Sequence, residues 1–170
     1  MIRFSDINRI GTSDYRPYFQ RHHLIPLQVS SIGRLSRTLH HAHSGSFGFN
    51  DFRTNGILLP CEEKWAVATG FPLHRGPHRE YNELVIERLS RFFALSKKIK
   101  GSRDQRTFVR DRVALLQNGL RRGLTHQGFD KLRLNKRDPV RSHSDFQKLD
   151  DKIDTLFSET TKSTALAYAN

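Results

Sequence analysis

Apolar residues recur at helical spacing through most of the second half of the chain. Pro77 suits the first position of a helix. An apolar stripe follows it and predicts a helix of about four or five turns that ends before 97–101; its members are Tyr81, Leu84, Val85, Leu89 and Phe92. A second amphipathic helix is predicted over 104–122, ended by Gly123, with Phe108, Val113, Leu116 and Leu120 on one face.

A third helix is predicted over 145–158, where Ser144 and Gln147 have the spacing of a capping box. Phe146, Leu149, Ile153 and Leu156 line one side of it. The tail that follows is expected to fray, because terminal residues are poorly ordered unless other contacts hold them.

The first half of the chain is less regular. Residues 1–15 have no clear period and are predicted to form an arm or loop. The stretch 22–29 is interpreted as extended, with Pro26 confining it to an edge or a bend. Residues 55–60 open with Asn-Gly, a signal of a strand or hairpin. The other predicted elements are a short helix over 30–41, a Gly/Ser turn over 43–50 and a short helix near 62–68.

Composition limits the function classes. The 170 residues carry a formal charge of +12, and the sequence pI is about 10.4. A polyanion such as nucleic acid is therefore the first partner to expect, because each Lys or Arg placed on a phosphate releases counterions. The mean hydropathy is −0.63, and no apolar run approaches the roughly 20 residues of a spanning helix, so a membrane partner is not expected.

Two further features bear on the compartment. The first ten residues lack the long apolar core of a secretory signal. The single Cys61 excludes an internal disulfide framework and a Cys-rich zinc site. We therefore expect a cytoplasmic protein.

Charge and histidine are both unevenly distributed. Residues 103–141 have a net charge of +7, whereas residues 142–170 have a net charge of −2. Seven of the nine histidines lie between His22 and His78, so the chemistry is expected in the first half. The basic stretch 132–141 is either a nucleic-acid arm or a linker.

The histidines form two groups that suit a metal. His74 and His78 are four residues apart at a helix entrance, which places both rings on one side of a turn. His22 and His23 begin the extended segment and are the obvious source of a third ligand. Since adjacent strand residues point to opposite faces, only one of that pair should face the metal, and its neighbour is free to act as a general base.

The alternative for these positions is a set of surface or hydrogen-bonded histidines without a metal. A competing cluster is formed by His40, His41 and His43. Their segment is loop-like, and the open choices for them are an ordinary surface role and phosphate contact.

Three blocks of sequence then carry a resemblance to a known family. They are RHHLIP at 21–26, GFNDFRTNGILLP at 48–60 and LHRGPHREYNELV at 73–85. In this order they resemble the AHH family of the HNH/endonuclease VII superfamily, nucleases with a ββα-metal fold. The resemblance covers about 19–93.

The resemblance implies roles for individual residues. His23 would deprotonate the attacking water, and His22, His74 and His78 would bind a single divalent metal. Asn55 corresponds to the asparagine whose side chain clamps the loop and orients the base. Tyr81 and Asn82 match the last block and would pack against the site or support it.

Arginines near these positions are candidates for phosphate contact. Arg21 stands where the family has a small residue, and it would contact phosphate. Arg75 and Arg79 flank the ligand histidines, and they either hold phosphate or are solvated helix charges.

The sequence as a whole predicts an α+β protein. It consists of an N-terminal arm over 1–18, a small ββα-metal nuclease core over 19–95, a basic helical extension over 96–158 and a flexible tail over 159–170. The predicted reaction is metal-dependent hydrolysis of phosphodiester bonds inside a nucleic acid, with DNA expected and little sequence specificity. One divalent ion is expected: Mg, Mn, Ni or Zn.

Two readings of function remain beside the nuclease. The main alternative is a non-catalytic nucleic-acid-binding protein with a structural metal, and the other is a basic adaptor without a metal. The family often supplies toxin modules, in which case an immunity protein would be a partner. A defence or mobile-element nuclease is equally compatible with the sequence.

Overall fold

The computed structural model describes residues 1–44, 47–125, 132–134 and 138–139. In chain order its elements are a 3-10 helix at Phe4–Asp6, then β1 (Phe19–His23), α1 (Gln28–Ser31), α2 (Gly33–Ala42), α3 (Phe52–Asn55), β2 (Gly56–Pro60), α4 (Glu63–Thr69), α5 (Arg79–Ser96) and α6 (Ser102–Thr125). Two short strands among several helices confirm the predicted α+β class.

The two strands form one antiparallel pair. Phe19 lies opposite Pro60 at one end of the pair, and His23 lies opposite Gly56 at the other. Next to that second end, His22 lies opposite Ile57. β2 is nearly all apolar and buried, so it anchors β1 and the two histidines against the core.

The long helices enclose the core behind this hairpin. α5 buries one stripe of side chains, and α6 packs against both α2 and α5. Among the described residues, an apolar cluster extends from Leu24 in the segment after β1 to Leu134 after α6. This cluster crosses residue 96, where the extension is predicted to begin, so α6 shares a core with the segment that carries the histidines. No helix in the described ranges combines the length and hydrophobicity needed to cross a bilayer.

Several sequence-based predictions need correction. The extended segment is β1, which begins at Phe19 and ends at His23; Pro26 lies beyond it, just before α1. The segment predicted as an N-terminal arm includes a 3-10 helix whose Phe4 is buried, and Ile2 accepts a backbone hydrogen bond from Phe52. The beginning of this segment is therefore held against the folded protein by Phe4 and Ile2.

Gly123 does not end the second long helix as predicted. α6 continues to Thr125, and Gly123 is buried within it. A Cβ atom at Gly123 would lie 2.7 Å from Cδ1 of Leu132. The glycine thus makes room for a side chain from the following segment. The predicted helix over 145–158 and the tail over 159–170 lie outside the described residues.

Candidate metal centre and active site

His22 is the fourth of the five residues of β1 and the only one of them that is buried. Its side chain is almost fully buried, because β2 covers one side and the ring of Tyr81 lies 5.0 Å away, edge to face. Nε2 of His22 is buried and has no hydrogen-bond partner among the described residues. An imidazole nitrogen without a partner in a buried position is costly unless a ligand occupies it.

His74 and His78 lie on the loop that precedes α5. The backbone amide of His74 donates to the carbonyl of Pro60, 2.7 Å away, which ties this loop to the end of β2. His78 is the N-cap of α5. Gly76 between them has φ of 78°, a left-handed conformation that glycine adopts without strain and that turns the chain between the two rings.

The three histidines converge as the sequence predicted. Their ring centroids are 5.1 Å apart for His22 and His74, 5.4 Å for His22 and His78, and 4.7 Å for His74 and His78. One nitrogen from each ring lies within 4.8 Å of the others. Three imidazole nitrogens that approach one another this closely could hold one divalent metal ion. The donor set thus suits a metal.

Burial keeps these rings neutral. Desolvation lowers the pKa of His22 well below 6.5, and the neighbouring His74 and His78 lower it further. Desolvation lowers the pKa of His74 to about 4, with a further contribution from His78. Neutral imidazole is the form that binds a metal, so the site is set up to coordinate at neutral pH.

Two ligand candidates have partners that the sequence analysis did not identify. Nδ1 of His74 lies 2.9 Å from Oε1 of Gln20. Because an amide oxygen only accepts, Nδ1 donates and Nε2 is left with a free lone pair. Gln20 and His22 are two residues apart on β1 and therefore share a face, so strand alternation could have indicated that Gln20 lies near the histidines.

His78 has its support in the segment after α6. The ring of His78 contacts the backbone of Leu134. Its Nδ1 atom is buried and has no hydrogen-bond partner among the described residues. Oδ2 of Asp138 accepts from the amide of Leu73, just before His74. These residues lie within the stretch 132–141, whose basic composition gave no sign of such contacts.

His23, the predicted base, lies at the end of β1. Its ring is stacked on Phe4 with a centroid separation of 3.7 Å and an interplanar angle of 4°. Desolvation lowers its pKa, and the Asn50 side chain acts in the opposite direction. Its buried Nε2 has no hydrogen-bond partner in the described part of the chain. Phe4 sits in a segment without periodicity, so no sequence signal identified it.

Asn55 is the last residue of α3, directly before β2, and is fully buried. Its Oδ1 accepts from the Ile25 amide at 2.8 Å and from Gln117 at 3.2 Å. Its Nδ2 donates to the carbonyls of Ile25 and Phe49, both at 3.1 Å. The side chain therefore clamps the chain that follows His23, and these hydrogen bonds go to its neighbours rather than to the His23 ring.

The two predicted supporting residues have different partners. The buried Tyr81 hydroxyl donates to the carbonyl of Leu24 at 2.7 Å, which fixes the chain immediately after the two histidines. Burial raises the pKa of Tyr81, so the hydroxyl keeps its proton. Asn82 donates to Oε1 of Gln28 on α1 at 3.1 Å.

The three arginines predicted to contact phosphate differ in their exposure and in their partners. Nη1 of Arg21 donates to the carbonyl of Phe4 at 2.5 Å, so this guanidinium holds the N-terminal helix in addition to facing solvent. Arg75 is exposed and lies 3.9 Å from Glu63. Arg79 is exposed at the first position of α5.

Comparison with known protein families agrees with the geometry. Residues 4–120 match the AHH family, described as a nuclease family of the HNH/ENDO VII superfamily with conserved AHH. The match begins and ends well outside the 19–93 predicted from the sequence blocks. No curated protein and no solved structure matches this chain. Nucleases of this superfamily use a divalent metal, and their substrate is nucleic acid. The match covers more than half of the chain, which therefore belongs to the AHH family of nucleases.

Proposed function

We propose that this protein is a metal-dependent endonuclease in which His22, His74 and His78 hold one divalent ion and His23 is the general base. The observation that carries the proposal is the convergence of three neutral imidazoles, two of which have a buried nitrogen without a partner among the described residues. His23 is the next residue along the strand.

The protein's own groups divide the work of phosphodiester hydrolysis. His23 accepts a proton from the water that attacks phosphorus through Nε2, the buried ring nitrogen that has no hydrogen-bond partner among the described residues. When bound, a divalent cation compensates the negative charge that develops on the phosphate oxygens. Three histidine ligands leave positions free for substrate, which is the arrangement of catalytic rather than structural sites.

The substrate has room beside the ligands. A groove of about 650 Å³ runs between the N-terminal segment and β1, and its lining includes Arg9, Tyr15, Gln20 and Arg21. Gln20 also contacts His74, so the groove adjoins the proposed metal centre. Its lining contains two arginines and no carboxylate, which favours a phosphate backbone. We propose that Arg75 and Arg79 add phosphate contacts from the other side of the histidines.

DNA is the proposed substrate, with cleavage of low sequence specificity. The supporting observation is the charge of +12, which binds phosphates without reading bases. The test is nicking of supercoiled plasmid by the purified protein with Mg, Mn, Ni or Zn, with EDTA as the control. RNA of mixed sequence is tested in parallel.

The decisive variant is His23→Ala. If His23 is the base, nicking falls by about 10²- to 10⁴-fold, while the increase in melting temperature on adding metal is retained. Retention of that increase shows that the variant is folded and metal-loaded. Plasmid binding and metal-induced stabilisation without cleavage under any cation, in both proteins, would instead establish the alternative, a nucleic-acid-binding protein with a structural metal.

A further inference from the structure

A second basic groove lies away from the histidine centre. It is formed by α2, the end of α5 and the beginning of α6, and has a volume of about 730 Å³. We call it the α2 groove; its lining residues include Arg34, Arg37, His40, His41, Lys97 and Gln105. None of the residues that line it is acidic.

The cations of the α2 groove are placed by helix geometry. Arg34, Arg37 and His41 follow one another at intervals of three and four residues, so they share one face of α2. All three are exposed, and Lys97 is exposed where α5 ends. Within the described ranges, no salt bridge involves Arg34, Arg37 or Lys97. Their charges are therefore available to an external anion.

The groove also offers a fixed neutral donor. Nδ1 of His40 accepts from the amide of Phe47 at 3.1 Å. The proton of the neutral ring must then sit on Nε2, which makes His40 a donor in the groove. Nε2 of Gln105 donates to the carbonyl of Ile99 and leaves its Oε1 for another partner. Cations beside neutral donors are the pattern of side chains that bind phosphate oxygens.

The α2 groove is too distant to belong to the histidine centre. His78 precedes the first residue of α5, whereas Ser96, the last residue of that helix, lines the groove. A helix of 18 residues spans about 27 Å at roughly 1.5 Å per residue. That separation corresponds to about eight base pairs of duplex at 3.4 Å each.

We propose that the α2 groove is a second nucleic-acid-binding site, which contacts the phosphate backbone through Arg34, Arg37 and Lys97 at a distance from the point of cleavage. The identity of the polyanion rests on the proposed nuclease function. The occupancy of the groove does not, because it can be measured without cleavage.

The test compares two triple variants of the full chain. Arg34→Gln/Arg37→Gln/Lys97→Gln removes the groove cations. Arg91→Gln/Arg110→Gln/Arg122→Gln removes the same charge from positions that do not line the groove. Binding to a 30-base-pair DNA duplex and to a single-stranded RNA is measured by fluorescence anisotropy in EDTA over a series of salt concentrations.

The groove variant should bind at least about 10-fold more weakly at 0.1 M salt, and the slope of log K against log salt should decrease by about 2 to 3. The control variant should change much less. A preference for duplex over single strand, or the reverse, identifies which nucleic acid the groove takes. Equal losses in both variants would mean that only net charge matters, and no loss in the groove variant would also overturn the proposal.

Two further readouts separate the possible failures. Metal-dependent hydrolysis of bis(p-nitrophenyl) phosphate, too small to reach both sites, should stay within about 2-fold of wild type in the groove variant, given the separation along α5. If this ester and plasmid both remain uncut by the wild type, the nuclease proposal fails while the binding result still stands.

Unchanged nucleic-acid binding with lost binding to polyglutamate would overturn the proposal and assign the groove to an acidic polypeptide.

Discussion

The ring of Phe4 lies flat against the ring of His23, with 3.7 Å between centroids and 4° between planes. Phe4 is itself held in place, because Arg21 donates to its carbonyl and Phe52 packs against it edge to face. The proposed base is therefore oriented by a residue near the chain start. Asn55, which the family resemblance assigned to clamping the loop and orienting the base, forms its side-chain hydrogen bonds with the chain that follows His23 and with other neighbours, not with the His23 ring.

The first prediction concerns this stack. Phe4→Leu keeps an apolar side chain in the buried position but removes the aromatic face. An aromatic pair contributes about 0.5–1.5 kcal/mol beyond burial, so plasmid nicking at saturating DNA should slow by about 2- to 10-fold. The Michaelis constant for DNA should change little, since Phe4 acts through His23. A loss confined to the Michaelis constant, with the maximal rate intact, would contradict a positioning role.

The sequence predicted the parts of the site that follow from periodicity and spacing. The four-residue interval between His74 and His78, and their placement at the start of a helix, indicated two ligands on one side. Alternation along β1 indicated that His22 and His23 take different roles, and the structure brings His22 to the other two rings. These features are local, so a pattern of neighbouring residues can reveal them.

The parts that the sequence did not predict depend on contacts between distant segments. Phe4 reaches His23 across a loop without periodicity, and Leu134 and Asp138 return to the histidine loop after α6. Gly123 gave a misleading signal, because glycine is favoured both at helix ends and where another chain approaches closely. Only the position of Leu132 distinguishes the two cases.

Asn55 should be a major contributor to stability. Asn55→Ala leaves the amide and carbonyl of Ile25 and the carbonyl of Phe49 without this partner in a buried position. Unsatisfied buried groups cost about 1–3 kcal/mol each, so the free energy of unfolding in urea should fall by about 3 kcal/mol or more. Gln117→Met is the matched control: it removes a single bond to Oδ1 and should cost under about 1.5 kcal/mol. Comparable losses in both variants would show that the clamp is not centred on Asn55.

Metal binding should be visible as stabilisation. Because a ligand that binds only the folded state stabilises it, a metal at 100 times its Kd adds about 2.7 kcal/mol to the free energy of unfolding. Adding Zn or Ni should therefore raise the melting temperature of the wild type by several degrees. The increase should disappear in His22→Ala and persist in His41→Ala, which changes an exposed histidine on α2. An increase that survives His22→Ala would place the metal elsewhere.

Stability should also decrease in mild acid, in part through His43. Desolvation lowers the pKa of His43 from 6.5, and the guanidinium of Arg110 acts in the same direction, whereas a hydrogen bond to the Leu39 carbonyl opposes them. The folded state then keeps this ring neutral while the unfolded chain takes up a proton below pH 6.5. The contribution of neutral His43 to the free energy of unfolding is therefore complete above pH 6.5. It is lost as the pH falls toward the lowered pKa that His43 has in the folded state.

The variant that isolates this effect is His43→Asn, which retains a donor for the Leu39 carbonyl. Its free energy of unfolding should fall less steeply than that of the wild type between pH 6.5 and 5. Urea titrations at several pH values measure this difference, with His41→Asn as the control. A wild-type slope in His43→Asn would show that other groups account for the whole pH dependence.

Two glycines of α6 should respond in opposite directions to the same substitution. A Cβ atom at Gly119 has no heavy atom within 4 Å, so Gly119→Ala gains helix propensity and should stabilise the protein by about 0.5–1 kcal/mol. At Gly123 the Cβ atom would meet Leu132 at 2.7 Å and 3.0 Å, for Cδ1 and Cγ. Overpacking costs about 1–3 kcal/mol, so it should outweigh the propensity gain and leave Gly123→Ala less stable than the wild type. Urea unfolding of both variants gives the two signs.

Because Leu132 also donates its amide to the Gly123 carbonyl and leads to Leu134 beside His78, Gly123→Ala should in addition weaken metal binding, which Gly119→Ala should leave unchanged. Equal stabilisation in both variants would mean that the segment after α6 does not pack at Gly123.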